Sequence, residues 1–557
     1  MEGLSDMLKS AQVNNRIRGF TVNEGNSLGV SISHKQYADD TLVFCEAEKE
    51  QLKHLRVIFI LFEAVSGLHI NWEKSFIYPV NEVPEISTLA NILGGKIGEL
   101  PTTYLRMPLG AKSKSMNIWN SMVERCEKKL VNWRSQYLSL GGRVTQINSV
   151  FDAMPTYMMS LYPIHGKIIK KLDAIGRNFL WQGNGEGEKK HHLVKWESVI
   201  TSKKDGGLGI KNLKAQNKSL MLKWLWRLAA DDQGLWKKII IARYGREEPW
   251  TTQAVKTPYE KGLWRTIRNQ WPKMWGNSVI KVGNGRKTMF WNDIWVGQTP
   301  LRQQFPDIYN LNQQKLATIS EVKNAQGWNL SFRRLLNDRE VGRMIQFYNT
   351  LEQAKSLNFE EDKLLWSLDK DGKFRVKAAY KMLNISTETK EWWPWKMIWK
   401  GKIPHKVACF TWLVASQAVL TQDNLMKRGK QLCSRCFFCE AEVETVNHLF
   451  QHCKVTGKLW QWFINLRGIG WAMPRHTSEV LACWNRDGNQ SEHKERWNIV
   501  PACIWWTIWK ERNQRCFENK SIPFQSIKMN CLATFYFWCI HSIPKDIGEF
   551  TLFLDSL

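Results

Sequence analysis

A chain of 557 residues is too long for one ordinary hydrophobic core and sets an expectation of several domains. Its 43% hydrophobic and 12% aromatic content excludes a disordered polyelectrolyte. Its 79 Lys and Arg against 52 Asp and Glu give a net charge of +27, which favours a polyanionic partner through counterion release.

No stretch approaches the roughly 20 consecutive apolar residues of a membrane span, so no membrane partner is expected. Met1 to Arg18 lacks the apolar core of a signal peptide, which argues for an intracellular protein, in nucleus or cytoplasm. The 12 cysteines are spread thinly, a pattern that suits reduced thiols and a metal site better than a disulfide framework. The 30 tryptophans are expected mainly as core and interface anchors, with a few available to stack on bases.

In chain order, the first hundred residues read as mixed α/β. Alternating runs at Gly29 to Ser33 and Thr41 to Cys45 predict two short strands flanking a polar tip, Tyr37-Ala38-Asp39-Asp40. A helix is expected from Glu46 to about Val65, with Leu52, Leu55, Phe59 and Phe62 on one face and Gly67 as its stop. Ile70 to Val80 returns to strand-like alternation. From Asn117 to Phe179 the period is helical and the surface basic, with interruptions expected at Gly141-Gly142, Pro155 and Pro163.

The glycine-rich Asp205-Gly206-Gly207-Leu208-Gly209 lacks the spacing of a dinucleotide fingerprint and reads as a loop. Gly283-Asn284-Gly285-Arg286 suggests a hairpin turn, and Phe290, Trp291 and Trp295 after it suggest burial. Beyond Glu360, Trp392, Trp393, Trp395 and Trp399 lead into a helix carrying Val407, Phe410 and Val414. Thr421 can cap a short following helix that Gly429 ends.

Two patterns carry chemistry. Adjacent carboxylates at a turn between apolar strands are costly unless a cation neutralises them, and nucleotidyl transfer uses such carboxylates to hold two Mg2+ ions. Asp39 and Asp40 are therefore candidate metal ligands. The second pattern is Cys436-Phe437-Phe438-Cys439 followed by His448 and Cys453. Three thiolates and one imidazole suit a closed tetrahedral Zn2+ site. The spacing leaves the register open, since Cys433 could replace either member of the first pair and His452 could replace His448. Glu442 or Glu444 is a candidate for orienting a ligand from behind.

Tyr37-Ala38-Asp39-Asp40 with Thr41-Leu42-Val43-Phe44 resembles the catalytic hairpin of the reverse-transcriptase palm. Ser66 to Asn71 with Lys74-Ser75 resembles the next palm motif of plant LINE-type (non-LTR) retrotransposon enzymes, which implies a role for Lys74 near an incoming triphosphate. Tyr104-Leu105 and Met107 to Gly110 resemble the segment that closes the palm, although Arg106 stands where that family commonly has glycine. Gly372-Lys373-Phe374, Ile403-Pro404-His405-Lys406-Val407, Trp412 and Thr445 to Phe450 resemble the zinc-binding domain that follows these enzymes. That resemblance implies the register Cys436, Cys439, His448, Cys453. Ile504 to Trp506 and Ile508 to Asn513 resemble the family's C-terminal helix.

The resemblance implies a multidomain α+β chain: a truncated palm (1–113), a helical thumb-like region (114–235), a Trp-rich connecting region (236–361), the zinc-binding domain (362–463) and a C-terminal helical region (464–557). It implies that Met1 falls inside the palm, so that Asp39 and Asp40 are a relic pair without the third carboxylate and without fingers. Autonomous polymerase activity is then not expected, and Mg2+ would bind only if another chain or upstream sequence completed the site. RNA or DNA is the expected partner, with Lys400, Lys402, His405, Lys406, Lys427, Arg428 and Lys430 as candidate phosphate contacts. No spaced acidic set after Cys453 suggests ribonuclease H chemistry.

Overall fold

The computed structural model describes residues 2–22, 29–113, 115–132, 137–182, 191–230, 233–254, 262–324, 326–335, 337–353, 357–385, 392–484 and 492–542. Helices dominate, and every sheet among the described residues has only two strands. No helix among them is long and apolar enough to cross a membrane. The chain divides into two compact units, each assembled from separate stretches: one from 1–118, 158–163 and 217–383, the other from 119–157, 164–216 and 384–557.

In the first unit, the helices Glu2–Val13, Lys49–Ser66 and Ile86–Leu93 close a core of Leu4, Leu8, Leu52, Leu55, Phe62 and Leu89. The helix expected before Gly67 is present. Gly67 ends it at φ 69°, where its N–H donates to the Glu63 carbonyl. The acidic hairpin differs from expectation. Asp40–Val43 pairs with His34–Tyr37 in the register Tyr37↔Asp40, while Val30–Ile32 folds back on Phe20–Val22. A two-residue turn at Ala38-Asp39 can be closed only by the residues immediately before it, which excludes Gly29 to Ser33 as the partner. The expected strand over Ile70 to Val80 shrinks to Phe76–Ile77, parallel to Lys96–Ile97. Asn71 is the cause: its carbonyl and side chain both accept from the Lys74 N–H, and the chain turns there.

The tryptophans do mostly structural work. Trp250, Trp264, Trp271 and Trp366 share one core with Leu222 and Leu225, and Trp226 stacks on Phe374 with ring centres 5.7 Å apart. Phe290 and Trp291 are fully buried in another core, where Trp291 stacks on Phe347 at 5.4 Å.

The Gly283 to Arg286 segment is no hairpin turn. Ser278–Lys281 pairs instead with the distant Lys363–Trp366, and the loop wraps the buried Asp362 carboxylate. That carboxylate accepts from the N–H groups of Gly283, Gly285 and Lys287 and from the Thr288 hydroxyl, at 2.7–2.9 Å. A buried charge with four donors is well satisfied, and a β-carbon at Gly283 would come within 2.2 Å of the Glu360 carbonyl oxygen.

In the second unit, Val500–Glu518 is a buried spine flanked by His405–Ala415, Lys454–Leu466 and Phe524–Ser542. Gly141-Gly142 was expected to interrupt a helix but lies inside Leu140–Gln146. Its role is close approach: a β-carbon on Gly141 would stand 2.9 Å from His405 Nδ1 and 3.1 Å from the His405 carbonyl. The buried Asp152 accepts from the Lys211 N–H at 3.0 Å, and burial pushes its carboxyl up to about 7.

Two predictions follow from backbone strain and buried charge. The hairpin Thr102–Tyr104/Met107–Leu109 turns through Leu105 at φ 48° and Arg106 at φ 61°, both left-handed. Arg106 is exposed, so Arg106→Gly relieves the strain without losing packing and should stabilise the protein by roughly 0.5–1 kcal/mol in urea denaturation. Asp152 has a folded pKa raised above its ordinary 3.8, so its stabilising contribution is complete below that value and is lost as the pH climbs through about 7. Asp152→Asn keeps an oxygen acceptor without the charge. Relative to the parent chain it should gain roughly 1–3 kcal/mol between pH 4 and pH 8, and a pH-independent difference would contradict the account.

Candidate metal centre and basic face

Cys436 to Cys439 forms a tight turn. The Cys436 N–H donates to the Glu442 carbonyl, the Glu440 N–H donates to the Cys436 carbonyl, and Glu440 takes φ 54° to close the loop. His448 opens a single π-helical turn, His448–His452, and the Cys453 N–H donates to the His448 carbonyl at 2.7 Å. Cys453 then precedes the helix Lys454–Leu466.

These elements bring Cys436, Cys439, His448 and Cys453 together, with their donor atoms all within 4.8 Å of one another. Cys436 Sγ lies 3.9 Å from Cys453 Sγ, and Cys439 Sγ lies 3.3 Å from His448 Nε2. Metal–sulfur bonds of about 2.3 Å and metal–nitrogen bonds of about 2.0–2.1 Å in a tetrahedron require ligand separations of about 3.5–3.8 Å, so the cluster fits Zn2+. Among the described residues this is the one group of three or more Cys, His, Asp or Glu close enough to hold a metal. Cys433 and His452 are both exposed and outside it, and His452 Nε2 faces the Arg475 carbonyl at 3.4 Å.

The protonation pattern is that of crowded thiols. Hydrogen bonding to Cys453, reinforced by burial, pushes Cys436 up to about 12. Contact with the Cys436 and Cys439 sulfurs raises His448 to about 9. Cys453 is shifted down, first by the Cys436 hydrogen bond and then by the Val455 and Thr456 N–H groups at the helix start. A divalent cation binding here would displace the shared protons.

The two glutamates separate. Glu442 Oε2 lies 3.0 Å from His448 Nδ1, an ion-pair distance without the angle of a hydrogen bond, and so stands behind the imidazole. Glu444 turns away from the thiols and is fully buried. It accepts from Arg512 Nη2 at 2.8 Å and Nε at 3.2 Å, and from the Gln422 N–H at 3.1 Å. The Arg512 guanidinium also lies over Phe437 at 5.0 Å, and Arg515 lies over Phe438 at 4.5 Å. The spine helix thus grips the Cys-x-x-Cys turn through both of its phenylalanines.

The cationic residues do not form one uniform set. Lys400 lies over Trp395 at 5.4 Å and Lys406 over Trp506 at 5.8 Å. Lys402 pairs with Glu495, and Lys427 pairs with Asp423. His405 is exposed and its ring is tilted against Trp399; burial and then Lys203 shift it below the ordinary histidine range. Lys430 is exposed. Arg428 is committed to the carbonyls of His192 and Leu193, which makes it a structural tie. Sequence reading missed Lys203 and Lys204. The glycine-rich loop, anchored by Trp412 Nε1 donating to the Gly206 carbonyl, sets Lys203 over Trp399 at 4.3 Å and Lys204 over Trp395 at 5.3 Å. The Asp205-Gly206-Gly207 motif was the available signal, but nothing local links it to Trp399.

Asp39 and Asp40 are exposed on the hairpin tip, where Ala38 is held at φ 50°. Lys74 is exposed on its own turn. Tyr104 neighbours the pair: its phenol is shifted up by desolvation and then by the Asp40 charge.

Residues 374–460 match the family described as zinc-binding in reverse transcriptase, a span that contains all four clustered ligands. The chain is 27% identical over 439 residues to an Arabidopsis thaliana protein called "putative ribonuclease H protein", covering 74% of this chain and 66% of that relative. It is 28% identical over 151 residues to an uncharacterized mitochondrial protein of the same plant, covering 27% of this chain and 97% of the relative. The fold and site thus define a chain carrying a reverse-transcriptase-type zinc-binding domain. It is related to the reverse transcriptases of plant retrotransposons.

If the cluster is the zinc site, the purified chain should carry about one equivalent of zinc by elemental analysis. Cys436→Ser should lose it and destabilise the unit by roughly 3 kcal/mol or more, as chelation should in the parent. Cys433→Ser should retain the metal; its loss there would overturn the register.

Proposed function

We propose that the chain is a retrotransposon-derived, LINE-type reverse-transcriptase protein that binds RNA or DNA through the basic face beside its zinc-binding domain. The observation that carries this reading is the set Lys203, Lys204, Lys400 and Lys406. Among the described residues none of the four is ion-paired with a carboxylate, and each lies over an aromatic ring. Cations held above the half-buried indole rings of Trp395, Trp399 and Trp506 can pass to a phosphate, and the ring faces they leave can stack on unpaired bases. The net charge of +27 supplies the long-range attraction.

In this reading residues 1–113 are a partial palm and the helices after them are thumb-like. The Asp39-Asp40 hairpin is the remnant of a two-metal site, and Lys74 is its leaving-group cation. Polymerisation requires a further carboxylate beside that pair, and among the described residues no third Cys, His, Asp or Glu stands close enough to complete it. Zn2+ acts in the fold, as a closed four-ligand site without an open position for substrate.

Titration of labelled single-stranded RNA with the full chain across a salt series tests the proposal. Binding should weaken linearly in log–log form, and Lys400→Gln with Lys406→Gln should reduce the slope by about 0.7 per lysine removed. Absence of binding at low salt would refute it.

A further inference from the structure

A second candidate surface lies on the far side of the helix that follows Cys453. On Lys454–Leu466, residues three and four apart place Lys458, Gln461, Trp462 and Asn465 along one face. The first turn of Phe524–Ser542 stands opposite and contributes Phe524 and Lys528. Together they line an open cleft of about 600 Å³, within the range of small-ligand sites. No carboxylate lines it.

The walls are fixed from beneath. Phe463 and Ile527 are buried next to Trp462 and Lys528, and Phe463 meets Phe535 edge-on with ring centres 5.7 Å apart. The backbone that carries the lining is therefore held in place, while Lys458, Gln461 and Asn465 are exposed and Trp462 and Lys528 half-buried. Lys528 Nζ lies 4.6 Å above the Trp462 ring and Lys458 Nζ lies 5.8 Å from the Phe524 ring. Among the described residues neither ammonium group is ion-paired. Gln461 and Asn465 hydrogen-bond each other at 2.6 Å, leaving amide donors and acceptors at the cleft edge.

We propose that this cleft holds one unpaired nucleotide of a single-stranded RNA, a site distinct from the lysines around Trp395 and Trp399. The inference rests on the nucleic-acid reading above and gives it a specific location. The base stacks on Trp462 in the place now covered by Lys528, and Lys528 and Lys458 turn to the flanking phosphates. The carboxamides of Gln461 and Asn465 meet the base edge. An acidic peptide would use the two cations but would leave the planar aromatic and carboxamide surface without a matching partner.

The test compares binding of a labelled single-stranded RNA by the full chain and its variants. Trp462→Ala should weaken binding roughly ten-fold, and Trp462→Phe, which keeps a ring, should recover most of the loss. Lys458→Gln with Lys528→Gln, both at the surface, should weaken binding and reduce the salt slope by about 1.4. Thermal melting confirms that each variant is folded, and the lysine pair keeps the test valid if Trp462→Ala is not. Parent-like binding by the lysine pair and by a folded Trp462→Ala would overturn the cleft while leaving the wider function intact. No binding by the parent chain would instead fail the wider reading. A free nucleoside monophosphate that displaces the RNA at micromolar concentration, or a poly-glutamate peptide that competes as well as RNA, would also overturn the proposal.

Discussion

The ion pair between Glu444 and Arg512 is what makes the cysteine-rich loop part of a larger fold. Both side chains are almost completely buried, so each charge depends on the other and on the Gln422 N–H for compensation. Removing either partner would strand a charge in a low-dielectric interior, a cost of about 3–5 kcal/mol. The pair also fixes orientation. With Arg512 held by Glu444, its guanidinium covers Phe437, and Arg515, one turn along and paired with the buried Glu511, covers Phe438. The turn bearing Cys436 and Cys439 is thereby pressed against the spine helix from outside, while a metal would hold it from inside. The two constraints act on opposite faces of the same four residues.

This geometry explains which parts of the site were legible in the sequence. The spacing Cys436-x-x-Cys439, His448, Cys453 is local, and local spacing constrains which thiols can meet; the resemblance implied one register, and the structure brings those same four side chains together. The partnership of Glu444 with Arg512 spans 68 residues and has no periodic signature. From the sequence, Glu444 was as good a candidate for supporting His448 as Glu442. Only burial separates them. The same limit applies to Lys203 and Lys204, whose place beside Trp395 and Trp399 depends on Trp412 anchoring the Gly206 carbonyl.

The helix ending at Gly67 and the burial of Phe290 and Trp291 were read well, and Thr421 stands at the start of Gln422–Met426, although its hydroxyl turns to Asp423 and makes no capping bond to the backbone. Two further failures, at Gly283 to Arg286 and at Gly141-Gly142, came where a distant group overrode a local preference. Gly283 to Arg286 has hairpin chemistry, but the Asp362 carboxylate offers its N–H groups a better acceptor than a turn would. Gly141-Gly142 resembles a helix break, but the close approach of His405 makes those glycines a packing necessity within the helix. In both cases glycine reports that another part of the chain comes close, and the sequence does not say which part.

The disposition of charge connects fold with function. Several acidic side chains are used internally: Asp362 organises a loop, Glu444 and Glu511 hold the spine arginines, and Asp152 caps a backbone N–H. Glu444 and Glu511 are offset by Arg512 and Arg515, with which they pair, so those two pairs leave the surface balance of charge unchanged. On the surface, lysines lie over aromatic rings around Trp395 and Trp399 and again at Trp462. A cation above a ring is stabilised enough to be positioned, but far less than in a buried salt bridge, and it can be transferred to a stronger anion. A lysine held over an indole is therefore positioned without being committed to a carboxylate, which is the property the proposed nucleic-acid reading requires of it.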